Sequence, residues 1–203
     1  MPAEKDQDKK YLTPIEVLRA PKFIGKIEPS SEQQEFATFP LTINGKPIMI
    51  RGTGVVGQEF RASQFNPGKL QLTFDVGGNG EMLFAAEQVR KEIQQALDNE
   101  CLPELEVSVQ SWVKNKNIYL SWPRVRNDYK AIEVNDAVVL HGSEEYERFT
   151  RDLAKIGGHD DQVEIGFSLY AWVRYIKSSE GNVATKVTVG MSPMLEYVKY
   201  TKV

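Results

Sequence analysis

The feature that most constrains the fold of this chain is residues 163–177, where apolar and polar side chains alternate along a run of strand-forming residues. Successive side chains of a β-strand point to opposite faces, so the alternation predicts one strand with a core-facing side and an outward side. The core-facing residues are Val163, Ile165, Phe167, Leu169, Ala171 and Val173. The outward side carries Tyr170, Trp172 and Arg174. Aromatic rings beside a cation are typical of a surface that stacks nucleobases, and also of a protein interface.

The rest of the chain predicts more strands and two helices. Asn44-Gly45 between two apolar runs predicts a tight hairpin, because both central residues of such a turn need positive φ. Strands are predicted over residues 69–76, 105–113, 118–122, 163–177, 183–189 and 196–200, and residues 131–140 as one extended segment. An apolar stripe predicts a helix over residues 82–99, and Ser143 is a suitable N-cap for a second helix over 144–156.

These elements predict an α+β fold that is mainly antiparallel β. We expect an OB-like barrel with the two helices as insertions, with a β-sandwich or another α+β sheet as alternatives. Residues 1–12 are predicted to form a flexible N-terminal arm, and residues 13–203 a single domain.

Composition narrows the classes of function. Of the 203 residues, 41% are hydrophobic, and the net charge is −3, so any nucleic-acid surface must be a local basic groove. Cys101 is the single cysteine and His141 and His159 are the two histidines, so we expect no disulfide, no metal site and no organic cofactor. The sequence has no apolar run that could span a bilayer and no secretory signal. We therefore expect no membrane partner, no secretion and a reducing compartment inside a cell.

A glycine-rich stretch offers a different interpretation. Residues 52–57 match G-x-G-x-x-G, and Asp75 lies at about the distance expected of a ribose-binding acid. A dinucleotide-binding unit needs a helix directly after the glycines, but the short stretch 55–65 runs into Asn66-Pro67-Gly68. We interpret residues 52–57 as a flexible loop between strands and rank a dinucleotide-binding enzyme third among the functions.

A second segment, residues 112–130, also interleaves aromatic residues with cations. Such rings can stack on bases while Lys and Arg neutralise phosphates. The alternative is a half-buried hairpin, with Trp112 or Trp122 in the core and a solvated basic loop. The residues predicted to stack on bases are Trp112, Tyr119, Trp122, Tyr170 and Trp172. The residues predicted to contact phosphates are Lys114, Lys116, Arg124, Arg126, Lys130 and Arg174.

The strand Ile165 to Arg174, a turn containing Gly181 and the alternating residues 183–191 resemble the closing strands of OB-fold single-stranded DNA-binding proteins of tailed phages and large DNA viruses. The resemblance covers about the last fifth of the chain. It implies binding of single strands without sequence specificity, in replication, recombination or repair, with Tyr170, Trp172 and Arg174 on the binding face. Members of that family commonly end in an acidic tail, whereas residues 199–203 of this chain are basic.

The first functional hypothesis is therefore a module that binds single-stranded DNA, with RNA as an alternative ligand, and that is not an enzyme. Its expected partners are the nucleic acid, further copies of itself and replication proteins. The second hypothesis is a structural protein, such as a virion component, in which the aromatic strands form subunit interfaces.

Overall fold

The computed structural model describes residues 36–62 except 41, 44 and 45, and residues 70–100, 106–125, 128–156, 162–177 and 184–201. The arm predicted over residues 1–12 lies outside the described residues. The strands are β1 (Phe36–Pro40), β2 (Thr42–Ile43), β3 (Lys46–Pro47), β4 (Met49–Ala62), β5 (Leu70–Asp75), β6 (Glu106–Val109), β7 (Val113–Lys114), β8 (Asn117–Ser121), β9 (Arg124–Val125), β10 (Asp128–Tyr129), β11 (Ile132–Val134), β12 (Ala137–Val139), β13 (Gln162–Lys177) and β14 (Ala184–Lys199). The helices are α1 (Gly80–Glu100) and α2 (Glu144–Ile156).

Five strands close into a mixed barrel in the order β13, β4, β5, β8, β14 and back to β13. Neighbouring strands are antiparallel except β8 and β14, which run parallel where Ser121 lies opposite Met194. Along the chain, β4, β5, β8, β13 and β14 are the first to fifth barrel strands, and α2 lies between the third and the fourth. This is the Greek-key arrangement of an OB-type barrel. The predicted α+β fold, an OB-like barrel with inserted helices, is confirmed.

The barrel interior follows the alternation that the sequence shows. On β13, the predicted core-facing residues from Val163 to Leu169 are 0% exposed and Ala171 is 1% exposed. They meet the inward residues of the other strands, which include Leu72, Phe74, Ile118 and Leu120. Each fully buried side chain of this size contributes about 1.5–3 kcal/mol, so the alternation is a major determinant of the fold.

The two longest strands extend beyond the barrel. β13 and β14 have 16 residues each, and β13 pairs with β4 only along its first half. Its second half pairs with β1, and the corresponding part of β14 pairs with β6 in parallel. The outer edge of β6 is closed by Gln94 of α1, whose amide donates to the carbonyl of Val107 and accepts from the backbone N–H of Val109. The hairpin therefore belongs both to the barrel and to a flanking sheet of β1, β13, β14 and β6.

The glycine stretch forms part of a strand, so its interpretation as a loop is wrong. Residues 52–57 lie within β4, which is antiparallel to β5, the next strand among the described residues. A methyl group at Gly52 would overlap Cε of Met82, a buried residue of α1, and one at Gly54 would lie 2.8 Å from the carbonyl oxygen of Asp75. The glycines thus allow close packing of helix and strand, and the βαβ geometry of a dinucleotide site is missing here.

Local turn chemistry accounts for the shorter elements. The predicted hairpin around residues 114–117 is present, with Asn115 and Lys116 at φ of 50° and 64°. Residues 131–140, predicted as one extended segment, instead form the hairpin β11–β12, because Asn135 and Asp136 also adopt positive φ. β2 and β3 pair as predicted on either side of residues 44–45.

Both predicted helices are present. The Oγ of Ser143 accepts a hydrogen bond from the backbone N–H of Tyr146, which is the expected N-cap of α2. α2 buries Phe149, Leu153 and Ile156 against the barrel. Within the part of the chain that the structure describes, neither helix is long and apolar enough to cross a membrane.

Candidate nucleic-acid interface

The strand register brings the two predicted aromatic segments to the same level on the outside of the barrel. One row of residues whose side chains point out of the barrel crosses β8, β14 and β13, and it consists of Ser121, Met194 and Ser168. β8 and β13 run in opposite directions, so two residues back along β8 and two residues forward along β13 lead from this row to Tyr119 and Tyr170. Each such step advances about 6.6–6.8 Å, and two strand spacings at the row amount to about 10 Å. Tyr119 and Tyr170 are therefore outward residues of the same end of the barrel.

The outward side of the β13–β14 hairpin combines large residues on one strand with small residues on the other. Tyr170 lies opposite Ser192, Trp172 opposite Gly190 and Arg174 opposite Thr188. Tyr170 and Trp172 are half-buried, and Arg174 is exposed. This confirms the predicted division of β13 into an inward and an outward face. It leaves two aromatic rings and a guanidinium in line along one strand.

Tyr119 has a different setting on the third barrel strand. Its side chain is 39% exposed and lies opposite Thr73 of β5. Lys114 pairs with Asn117, so it shares the outward face with Tyr119, and Lys116 lies in the turn between them. Both lysines are exposed. One exposed aromatic ring and two exposed lysines therefore lie at this end of β8.

The prediction that Trp112 and Trp122 stack on bases is wrong, because both lie in the core. Trp112 is 2% exposed, and its ring centroid lies 5.1 Å from that of Phe167. Trp122 is 1% exposed, and its Nε1 donates a 2.8 Å hydrogen bond to the carbonyl of Lys130. The alternation along β8 predicts the buried position of Trp122, because Ile118 and Leu120 point inward and Trp122 is the next residue of that series.

An aromatic cluster follows Trp122. Its indole meets the rings of His141 and Tyr146 edge-on, and His141 stacks on Tyr129 with centroids 4.1 Å apart. The guanidinium of Arg124 lies 5.0 Å from the centroid of Tyr129, a cation–π contact. Burial lowers the pKa of His141. Sequence reasoning missed the parts played by His141 and Tyr146, which are distant along the chain from Trp122.

Two of the remaining predicted cations, Arg124 and Lys130, lie near this cluster. Arg124 and Lys130 are exposed, and Arg126 lies outside the described residues. Arg124 lies in β9 opposite Tyr129 of β10, so the cation–π contact is within this small hairpin, at the far end of β8 from Lys114. The described residues that are predicted to bind phosphate are thus spread along the length of β8, except Arg174, which belongs to the β13–β14 hairpin.

Ion pairs distinguish these cations from others on the surface. Arg51, Arg90, Lys91, Lys186 and Lys199 each lie within 4.0 Å of a carboxylate. Among the described residues, four of the predicted phosphate-binding side chains make no such salt bridge, namely Lys114, Lys116, Lys130 and Arg174. An anionic ligand could therefore contact these side chains without breaking an existing ion pair. The same described residues contain no group of three or more His, Cys, Asp or Glu side chains that could hold a metal ion.

Carboxylates gather at the opposite end of the outward surface. Tyr197 lies opposite Gly166 on β13 and Glu133 on β11. Burial raises its pKa to about 12, with further contributions from Glu164, Asp136 and Glu133. Gly166 is four residues from Tyr170 along β13, or about 13 Å. A polyanion would be repelled there, so the charge distribution favours its placement at the aromatic end.

Comparison with models of known protein families, with curated proteins and with solved structures found no significant match. The residues of this chain and their placement in the barrel are therefore the basis on which its function is inferred.

Proposed function

We propose that this protein binds single-stranded DNA, with RNA as an alternative ligand, without sequence specificity. Bases would stack on Tyr119, Tyr170 and Trp172. The phosphates would be contacted by Lys114, Lys116, Arg124, Arg126, Lys130 and Arg174. The proposal assigns no catalytic step, metal or organic cofactor to the protein.

The observation that carries the proposal is the common level of Tyr119 and Tyr170 on the outside of an OB-type barrel. Such barrels bind oligonucleotides on the face of the second and third strands, and through the loops that follow the first and the fourth strands. Tyr119 lies on the third strand, and Tyr170 and Trp172 lie on the hairpin that joins the fourth and fifth. Residues distant in sequence therefore lie on the third strand and on the hairpin of the fourth and fifth strands, and this placement supports contact of both with one bound strand.

The residue types account for the absence of sequence preference. Every base has an aromatic face, so stacking tolerates any base and contributes about 1–3 kcal/mol per base. Lysine and arginine contact phosphates, which are the same at every nucleotide. The resemblance of the closing strands to viral single-stranded DNA-binding proteins favours a role in replication, recombination or repair, with replication proteins and further copies of the chain as partners.

A second candidate is a structural protein whose surface strands form subunit interfaces. It is favoured by the terminal strand β12 and the residue after it, where Val138 and Leu140 are 72% and 55% exposed. Exposed apolar residues beside an unpaired strand edge are suited to contact with another chain. This candidate predicts concentration-dependent assembly and requires no nucleic acid.

The proposal is tested by measuring the anisotropy of a fluorescent oligothymidine at several salt concentrations. The triple variant Lys114→Gln, Lys116→Gln, Arg174→Gln should bind more weakly, with a salt dependence flatter by about two units in log K against log salt, at roughly 0.7 per lost contact. The matched control is Arg148→Gln, Arg151→Gln, Lys155→Gln, which removes the same charge from exposed positions of α2.

The control should bind like the wild type. Loss of affinity in both triple variants would show a general charge effect and contradict the assigned surface. A wild-type protein that shows no salt-dependent binding, but forms large particles as its concentration rises, would replace the proposal with the structural alternative.

A further inference from the structure

The outward face of the β13–β14 hairpin contains one contact that is unusually close. An ideal Cβ at Gly190 would overlap the indole carbons Cζ2 and Cε2 of Trp172 and would lie 2.7 Å from its Nε1. Gly190 and Trp172 are directly opposite each other in the register. The indole therefore occupies the space in which any other residue at position 190 would have its side chain.

We propose that Gly190 is a positioning residue, which holds the Trp172 indole across β14 in the orientation that stacks a base. The proposal rests on the proposed function, because it gives Trp172 the role of a stacking ring. Gly190 itself contacts no base. It affects binding only because it has no side chain that would displace the ring of Trp172.

The backbone does not explain why position 190 is glycine. Its φ lies outside the left-handed region that L-residues avoid, and it sits in the interior of a regular strand. Glycine in a strand interior weakens the strand, and it often marks a close approach of another group. Here that group is the ring of Trp172.

The neighbouring pairs support the same interpretation. Ser192 and Thr188 are also small, and they lie opposite Tyr170 and Arg174. Directly opposite residues have Cβ atoms about 4.5–5.5 Å apart, so a large side chain can lean over a small one. Glycine at 190 gives Trp172, the largest side chain of the three, the most room. A ring confined in this way loses less freedom on binding than one that rotates freely, which favours affinity.

The test compares Gly190→Ala with Trp172→Ala and with the double variant, using oligothymidine anisotropy. Loss of one stacked base corresponds to about a 5- to 150-fold weaker affinity, and we expect this loss for Trp172→Ala. Gly190→Ala should lose affinity within the same range, because its methyl group displaces the ring. The double variant should lose no more than Trp172→Ala alone.

The matched control is Gly80→Ala, since a Cβ at Gly80 would meet nothing within 4 Å. It should bind like the wild type. The amide chemical shift of Gly190, measured by NMR, should change when Trp172 is replaced by Ala, because the ring current is lost. If wild type binds oligothymidine and Gly190→Ala binds equally well, the positioning role is wrong while the proposed function stands.

Two further outcomes are informative. If wild type does not bind, the proposed function and the positioning role both fall. If Gly190→Ala lowers the thermal midpoint, the double variant should melt no lower than Trp172→Ala alone, because the overlap is removed. A double variant that melts below Trp172→Ala by as much as Gly190→Ala melts below the wild type would show that Gly190 serves the backbone, and would overturn the proposal.

Discussion

Replacement of each buried tryptophan by phenylalanine offers a matched test of the core. Trp112 and Trp122 are 2% and 1% exposed, so both changes remove the same atoms from a closed environment. The Nε1 of Trp122 donates a 2.8 Å hydrogen bond to the carbonyl of Lys130, whereas Nε1 of Trp112 has no acceptor among the described residues. Trp122→Phe therefore loses a hydrogen bond, and Trp112→Phe removes a buried donor that has no partner.

The structure gives the size of the difference between these variants. A hydrogen bond contributes about 0.5–1.5 kcal/mol net, and a buried polar group without a partner costs about 1–3 kcal/mol. The cavity left by the smaller ring is common to both variants and largely cancels in the comparison. We expect Trp122→Phe to lower the free energy of unfolding by roughly 1.5–4.5 kcal/mol more than Trp112→Phe does.

Urea unfolding followed by circular dichroism measures this difference, provided that the m-value is unchanged. For a chain of this length, each kcal/mol also shifts the thermal midpoint by about 2–4 °C. Both variants should keep their affinity for oligothymidine, because neither ring reaches the surface. Equal destabilisation, or a greater effect at Trp112, would refute the argument from hydrogen bonding.

Three other expectations concern stability. Gly54→Ala should destabilise the fold by about 1–3 kcal/mol and by more than Gly52→Ala. A Cβ at position 54 would meet the backbone oxygen of Asp75, whereas one at position 52 would meet the flexible end of Met82. Chemical denaturation of the two variants checks this order. Ser143→Ala should lower the free energy of unfolding by about 1 kcal/mol through loss of the α2 cap, whereas Ser143→Asp keeps a capping oxygen. Equal losses in the two variants would argue against the cap as the cause. Burial lowers the pKa of His141 below its ordinary value of 6.5, so the contribution of His141 to stability should be present above pH 6.5 and be lost as the pH falls. His141→Gln should remove this part of the pH dependence of unfolding. An unchanged pH profile in the variant would contradict the expectation.

Much of the barrel could be predicted because its strands are amphipathic. The alternation from Val163 to Ala171 identifies both the strand and its buried face, and all five apolar residues of that series are buried. Closure of the barrel could not be read in the same way. It depends on the parallel contact between Ser121 and Met194, which are far apart in sequence and carry no local pattern.

The errors have local physical causes. Glycine has no side chain, so residues 52–57 gave no periodic signal that could distinguish a strand from a loop. Asn135 and Asp136 form a tight turn without the glycine that usually marks one, so the sequence does not predict the hairpin. The basic neighbours of Trp122 predict a surface position, although the alternation of Ile118 and Leu120 places it inside.

The candidate site could be predicted only in part. Tyr119, Tyr170, Trp172 and Arg174 were recognisable from strand parity and from aromatic residues next to cations. Their common level on the barrel, and the contact of Trp172 with Gly190, depend on the pairing of distant strands. The acidic region around Tyr197 likewise brings together β11, β13 and β14, which the sequence separates.

The continuity of β13 from Val163 to Arg174 has a consequence for the entropy of binding. The same strand that fills the barrel core with Phe167 and Leu169 carries Tyr170 and Trp172 on its outer side a few residues later. The conformational entropy of ordering this surface is therefore lost when the core folds, and association with any ligand does not have to supply it. Substitutions that loosen the barrel near Leu169 should for that reason weaken binding at Trp172 even when they touch no ligand.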